Sequence, residues 1–130
     1  MQYSTTLRTN QVGQIQTTVG SSGALKIFSG AEPANCAAAD PSGLLATITL
    51  PSTFLTSSSG ATTIAGTWST TGSANGTAAC FRIYDGSAVC HVQGSVTASG
   101  GGGDMIVSTT TIASGGAVSV TTFTVTGNNA

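Results

Sequence analysis

Charged side chains are almost absent from this chain: three Lys and Arg and four Asp and Glu make up 5% of its 130 residues, where an ordinary soluble domain has about 25%. Neutralising phosphates takes clustered cations, so three scattered ones and a net charge of −1 exclude a strongly basic nucleic-acid binder. A disordered chain solvated by its own charge is excluded too, because 39% of the residues are apolar. Large side chains are also scarce. Four Phe, two Tyr and one Trp imply a thin core, with partners expected to supply part of the burial. No apolar run reaches the ~18 residues of a membrane-spanning helix, and the opening MQYSTTLRTNQVGQ lacks the apolar h-region of a secretory signal. No membrane association and synthesis in the cytoplasm are the resulting expectations.

Chemistry-bearing constellations are missing as well. His91 is the only histidine; a Ser-His-Asp arrangement would need it with Asp40, Asp85 or Asp104, and no GxSxG elbow accompanies any serine. It reads as an outward-facing hairpin residue. Among the acids Glu32, Asp40, Asp85 and Asp104, Asp85 reads as a turn residue and Asp40 precedes Pro41 in a loop, so no carboxylate pair suited to glycoside hydrolysis stands out. Gly100 to Gly103 is not followed by the Lys-Ser/Thr of a phosphate-binding loop, and reads as an unconstrained turn. Cys36, Cys80 and Cys90 lack zinc-ligand spacing and cannot all pair; free buried thiols are expected. A two-residue turn at Asp85-Gly86 would put Cys80 and Cys90 on opposite faces of a hairpin, whereas a three-residue loop would put them on the same face. Asn75-Gly76-Thr77 matches a glycosylation sequon and reads as a turn. Trp68 and Tyr84 could stack on a ligand if exposed, though Trp68 reads as core. The chain is therefore expected to be no enzyme and to carry no catalytic residue, cofactor or metal.

What is plentiful is small and hydroxylated: 23 Thr, 17 Ser and 18 Gly. Thr and Val at this density favour a pleated surface over a helix. Strands are predicted at residues 25–29, 44–50, 62–68 and 105–108, with a hairpin over 79–96 and a final strand over 117–126. In the hairpin, Phe81, Ile83, Ala88, Cys90 and Val92 are expected to face the core, and Arg82, Tyr84, Ser87, Val89 and His91 the outside. In the last strand Val118, Val120 and Thr122 share one side, and Ala117, Ser119, Thr121, Phe123 and Val125 the other. Leu7, Gln11, Ile15 and Val19 recur at helical spacing, with Ser4 or Thr5 as cap and Gly20 as stop, against which stand Gly13 and many Thr. Residues 57–60 and 99–103 read as flexible loop tips. The prediction is one mainly β domain over residues 1–130, a β-sandwich or open barrel of about six to eight short antiparallel strands with one short N-terminal helix. A sheet so poor in charge has little protection against edge pairing and loses little on desolvation against another protein, which suits a partner-binding module.

The order of segments, ALKIFSGAEPA, LLATITLPSTF, GTAACFRIYDGSAVCHVQGSV and MIVSTTTIASGGAVSVTTFTVT, resembles small proteins encoded in the structural-gene regions of tailed bacteriophages and prophages. The resemblance runs from about Leu7 to Thr126, and its most specific pieces are FRIYDG with the following GSV, and the terminal strand. It implies a virion role, foremost a capsid decoration (cement) protein that binds assembled major capsid protein, with a tail, fibre or receptor- or glycan-binding module as the alternative. A homo-oligomer, with a trimer as the guess, located on the capsid surface is the accompanying expectation. Candidate contacts are an N-terminal arm over residues 1–6, including Met1, Gln2 and Tyr3, and the loop 51–60 with Phe54 and Leu55.

Overall fold

Ser4 opens the helix α1 (Thr5–Val19): its Oγ accepts from the Leu7 N–H at 3.1 Å, and Gly20, at φ 79°, closes it by donating to the Gln16 carbonyl. In this computed structural model, which describes residues 1–129, the buried stripe of α1 is Val12 and Val19, with Ile15 packed against the core. Leu7 and Gln11 lie outside it. A polar pin fixes the helix instead. Gln16 Nε2 donates to the Ser52 carbonyl, and its Oε1 accepts from the Phe54 and Leu55 N–H groups at 2.8 and 2.9 Å.

The strands are β1 (Ala24–Phe28), β2 (Leu44–Thr49), β3 (Leu55–Ser58), β4 (Ala61–Ile64), β5 (Ser69–Thr71), β6 (Gly76–Thr77), β7 (Cys80–Tyr84), β8 (Cys90–Ala98), β9 (Met105–Val107), β10 (Thr111–Ile112) and β11 (Ala117–Phe123). Seven of them form one sheet in the order β2-β1-β7-β8-β9-β11-β5, and β3-β4 and β6-β10 are separate small pairs. The large sheet curls until its edges nearly meet, where the Ser73 N–H and Oγ both donate to the Leu45 carbonyl. The protein is thus mainly β, a nearly closed barrel-like sheet with small accessory strand pairs and one N-terminal helix that packs chiefly against β3 and β4.

One pairing departs from the antiparallel expectation. β8 and β9 run parallel, with Val96 opposite Met105, although only residues 99–104 join them and parallel neighbours usually need a dozen or more. The glycine run makes the short return feasible. Gly100 and Gly102 adopt φ 86° and 74°, and a Cβ on Gly101 would sit 2.5 Å from the Thr97 Cβ. The loop lies flat on β8, with the Gly103 N–H donating to Thr97 Oγ1 and Asp104 Oδ2 accepting from the Ser95 N–H and hydroxyl. This is a constrained crossover, not a free tip. Residues 57–60 are likewise a hairpin turn: Ser59 and Gly60 have φ 53° and 80°, as the two-residue turns that suit strand twist require, and the Gly60 N–H donates to Thr9 Oγ1.

β-Bulges overturn two face assignments. In the β7–β8 hairpin Ile83 pairs with Val92 and Tyr84 with Cys90, so His91 is the extra residue and Cys90 shares the outer face with Arg82 and Tyr84. The connection is longer than a two-residue turn, because Asp85 Oδ1 accepts from the Ser87 and Val89 N–H groups. In β11 the extra residue is Thr121, which rotates Phe123 into the core beside Val118 and Val120. Trp68 lies between β4 and β5 rather than within one strand. It is 1% exposed, and its ring meets Phe54 and Phe123 at centroid separations of 5.8 Å each, with Phe81 against Phe123 at 5.5 Å. These rings fill the barrel.

Candidate functional site

β7 is buried along its whole length, yet its residues alternate in kind. Phe81 and Ile83 point into the barrel, while Cys80, Arg82 and Tyr84 point outward. What covers the outward side is the connection between β1 and β2, residues 30–43. It is tied at its base by the Ser29 and Gly30 N–H groups donating to the Gly43 and Ser42 carbonyls, and folds over the sheet. Its middle is an Asn turn, Asn35 Oδ1 accepting from the Ala37 and Ala38 N–H groups at 2.9 and 3.0 Å.

Arg82 is the centre of this cluster and is only 1% exposed. Its Nη1 donates to the Ala38 carbonyl and to Asp40 Oδ1, both at 2.9 Å; its Nη2 to the Asn35 carbonyl at 2.8 Å and Gln93 Oε1 at 3.0 Å; its Nε to Gln93 Oε1. A buried guanidinium is tolerable only when its fork is saturated in this way. Gln93, directly across from Arg82 on β8, relays the grip by donating to the Pro33 carbonyl at 2.6 Å and to Glu32. The Tyr84 hydroxyl donates to the same Asp40 oxygen at 2.5 Å, and Lys26 lies 4.9 Å above the Tyr84 ring. The Tyr84 hydrogen bond, helped by Arg82 and Lys26 and opposed by burial, holds the Asp40 carboxyl below its ordinary range. Burial, with the bond to Asp40, pushes the Tyr84 phenol up.

All three cysteines border the same loop. Cys80 is buried and donates to the Gly30 carbonyl at 3.3 Å. Cys90 and Cys36 are half-buried, and the Cys90 thiol points at the Cys36 sulfur at 2.8 Å. Cys80 and Cys90 share a face, contrary to the two-residue-turn reading; the length of the hairpin separates them. The cluster therefore gathers four of the seven charged residues and every cysteine of the chain. Chemically it is a clamp with two adjacent thiols at its edge.

The remaining polar residues singled out by the sequence have local partners. His91 Nε2 pairs with Asp85 Oδ2 at 2.9 Å, and that carboxylate already holds the turn. Among the described residues no hydroxyl or thiol is hydrogen-bonded to the His91 ring. Asn75 Oδ1 accepts from the Ser114 N–H at 2.8 Å, joining two turns. Trp68 and Tyr84 are both buried, so neither presents a stacking face. Of the expected contacts, Met1 is 91% exposed, Gln2 is exposed and Tyr3 half-buried. The arm is shorter than residues 1–6, because Ser4 is the helix cap and the Tyr3 N–H donates to Asn129 Oδ1. Phe54 and Leu55 are 0% and 3% exposed: the Trp68 ring and the Gln16 pin hold them inside, which removes them as surface contacts. A cavity of about 280 Å³ opens over Phe81, Phe123 and Asp104, and a groove of about 200 Å³ runs between α1 and His91.

The Arg82 clamp escaped the sequence reading. Its signal was there in part: an Arg and a Tyr alternating with Phe and Ile in a strand, and a long connection between two strands with no hairpin signature. Comparison with known protein families, with curated proteins and with solved structures finds no match to this chain.

Proposed function

We propose that the protein is a structural component of a bacteriophage particle, a decoration protein that binds assembled major capsid protein and stabilises the head. The observation that carries this reading is the fate of its charges. Asp40 and Arg82 hold each other, Glu32 takes Gln93, Lys26 covers Tyr84, Asp85 holds a turn and His91, Asp104 holds the β8–β9 crossover, and Arg8 reaches Thr5. What the outside presents is predominantly Ser, Thr, Gly and Ala. Such a surface is desolvated against another protein at little electrostatic penalty, and an ordered lattice of identical sites makes weak individual contacts effective. Ligands that bind only the assembled state stabilise it by mass action.

The test is the copy number in purified particles, measured by quantitative mass spectrometry. Decoration predicts a number near that of the major capsid protein; a handful of copies indicates a tail or connector component, and absence overturns a virion role. Starting the chain with Met directly before Ser4 keeps the helix cap and removes the exposed Met1 and Gln2 together with the half-buried Tyr3. Folding should be unchanged and occupancy on particles reduced, and unaltered occupancy takes this arm out of the interface.

A further inference from the structure

We infer that Cys36 and Cys90 form a disulfide modification site, which fastens the 30–43 loop to β8 when the protein meets a small-molecule disulfide oxidant. The inference is independent of the docking reading above.

Three observations carry it. The sulfurs are 2.8 Å apart, closer than two non-bonded sulfur atoms comfortably rest. Second, both backbones are already positioned. The Asn35 carbonyl, next to Cys36, is held by Arg82 at 2.8 Å, and the Asn35 side chain holds the following N–H groups of Ala37 and Ala38. On the other side, the bulge at His91 turns Cys90 to the outer face. Disulfides are intolerant of backbone mismatch, and here the sulfurs have only about 0.8 Å to close to bonding distance. Third, the two thiols are half-buried and the third is fully covered: Cys80 is 0% exposed beneath the loop base and stays out of the reaction.

The Cys90 S–H is hydrogen-bonded to the Cys36 sulfur. Burial, with its bond to Cys36, pushes the Cys90 thiol up to about 12, which makes Cys90 the resolving partner. Cys36 attacks a low-molecular-weight disulfide such as oxidised glutathione, forming a mixed disulfide and releasing one small thiol. Cys90 then loses its proton and attacks the Cys36 sulfur, releasing the second small thiol. Two protein thiols are oxidised by two electrons, one small disulfide is reduced to two thiols, and the link closes across 54 positions of sequence.

The experiment uses the full reduced chain incubated with oxidised glutathione, alkylated and mapped without reductant. Alkylatable thiols should fall from three to one, with Cys80 remaining, and a Cys36–Cys90 linked peptide should appear in monomeric protein. The melting temperature should rise by about 10 °C and fall back with reductant. C36S and C90S should each lose the link and the rise, while C80S keeps both. Persistence of three thiols, glutathione left on Cys36 without resolution, or a link that is intermolecular or includes Cys80 overturns the site. A link without a rise in melting temperature overturns its role as a fastener.

Discussion

At the scale of single residues, Arg82 has the most to explain. Burial is the largest single influence and works against its charge, but the bond to Asp40 together with the neighbouring Cys90 and Tyr84 more than offsets it, so the guanidinium is held above its ordinary range and stays protonated. Replacing one partner of a buried pair is costlier than replacing both, because unpaired acceptors remain. Asp40 softens this, since its side chain is 44% exposed and rehydrates; the Asn35 and Ala38 carbonyls and Gln93 lose their donor outright. Arg82→Met should therefore lose about 3 kcal/mol in urea unfolding, and hydrogen exchange should show the 30–43 loop opening first. Arg82→Lys should recover less than half of that, because one ammonium cannot span four acceptors held in a planar fork. An Arg82→Met protein as stable as the parent would mean that the loop is held by its own turn. Alternation was enough to place Arg82 outward from sequence. That the outside of β7 is covered was not legible, because the cover comes from a loop whose Ala-rich residues have no periodicity to read.

At the scale of elements, period-two reading worked until a bulge intervened. Strand positions at 25–29, 44–50 and 105–108 correspond closely to β1, β2 and β9, since Val, Ile, Leu and Thr runs bounded by Gly, Ser and Pro carry their own signal. Strict alternation puts Cys90 on the core face and separates Phe123 from Val118 and Val120, whereas one extra residue, His91 or Thr121, inverts everything beyond it. The residue types alone do not disclose a bulge, which is set by what each strand must reach. The glycine run shows the complementary failure. Composition suggested a free tip, whereas a close approach to Thr97 explains it. Two substitutions separate these readings. Gly101→Ala puts a Cβ against the Thr97 Cβ and within 3.1 Å of the Ala98 carbonyl, a clash no rotamer relieves, and should destabilise by about 2 kcal/mol. Gly100→Ala meets open space but must hold φ 86°, which costs about 1 kcal/mol. Thermal melts of the pair should show this order; a flexible tip would leave both near the parent.

At the scale of the whole molecule, fold class was legible because composition and alternation agree on strands. The barrel's closure was not, because it depends on edge strands meeting far apart in sequence, at Ser73 and Leu45. The distribution of charge gives the molecule a definite response to solution conditions. Three carboxyls lie below their ordinary 3.8: Asp40 through the Tyr84 hydroxyl, Asp85 through His91, and Asp104 through the Ser95 N–H. A lowered carboxyl contributes stability that is complete above its unfolded value and is lost as pH falls through the folded one. The Cys80, Cys90 and Tyr84 groups are raised, each chiefly by burial, so their contribution is complete below the unfolded values of 9.0 and 10.0 and is lost as pH climbs through the folded ones. Stability should thus be flat from about pH 4 to about pH 9 and fall on both sides. Within that plateau the charged side chains are few, most of them have a close polar or aromatic neighbour, and a net charge of −1 leaves no like-charged field to screen. Raising NaCl from 0.05 to about 0.5 M should move the melting temperature by less than about 2 °C. A large salt-dependent shift at pH 7, in either direction, would show that these side chains act through long-range repulsion or attraction across the surface, and would contradict the neutral exterior on which docking to a larger assembly rests.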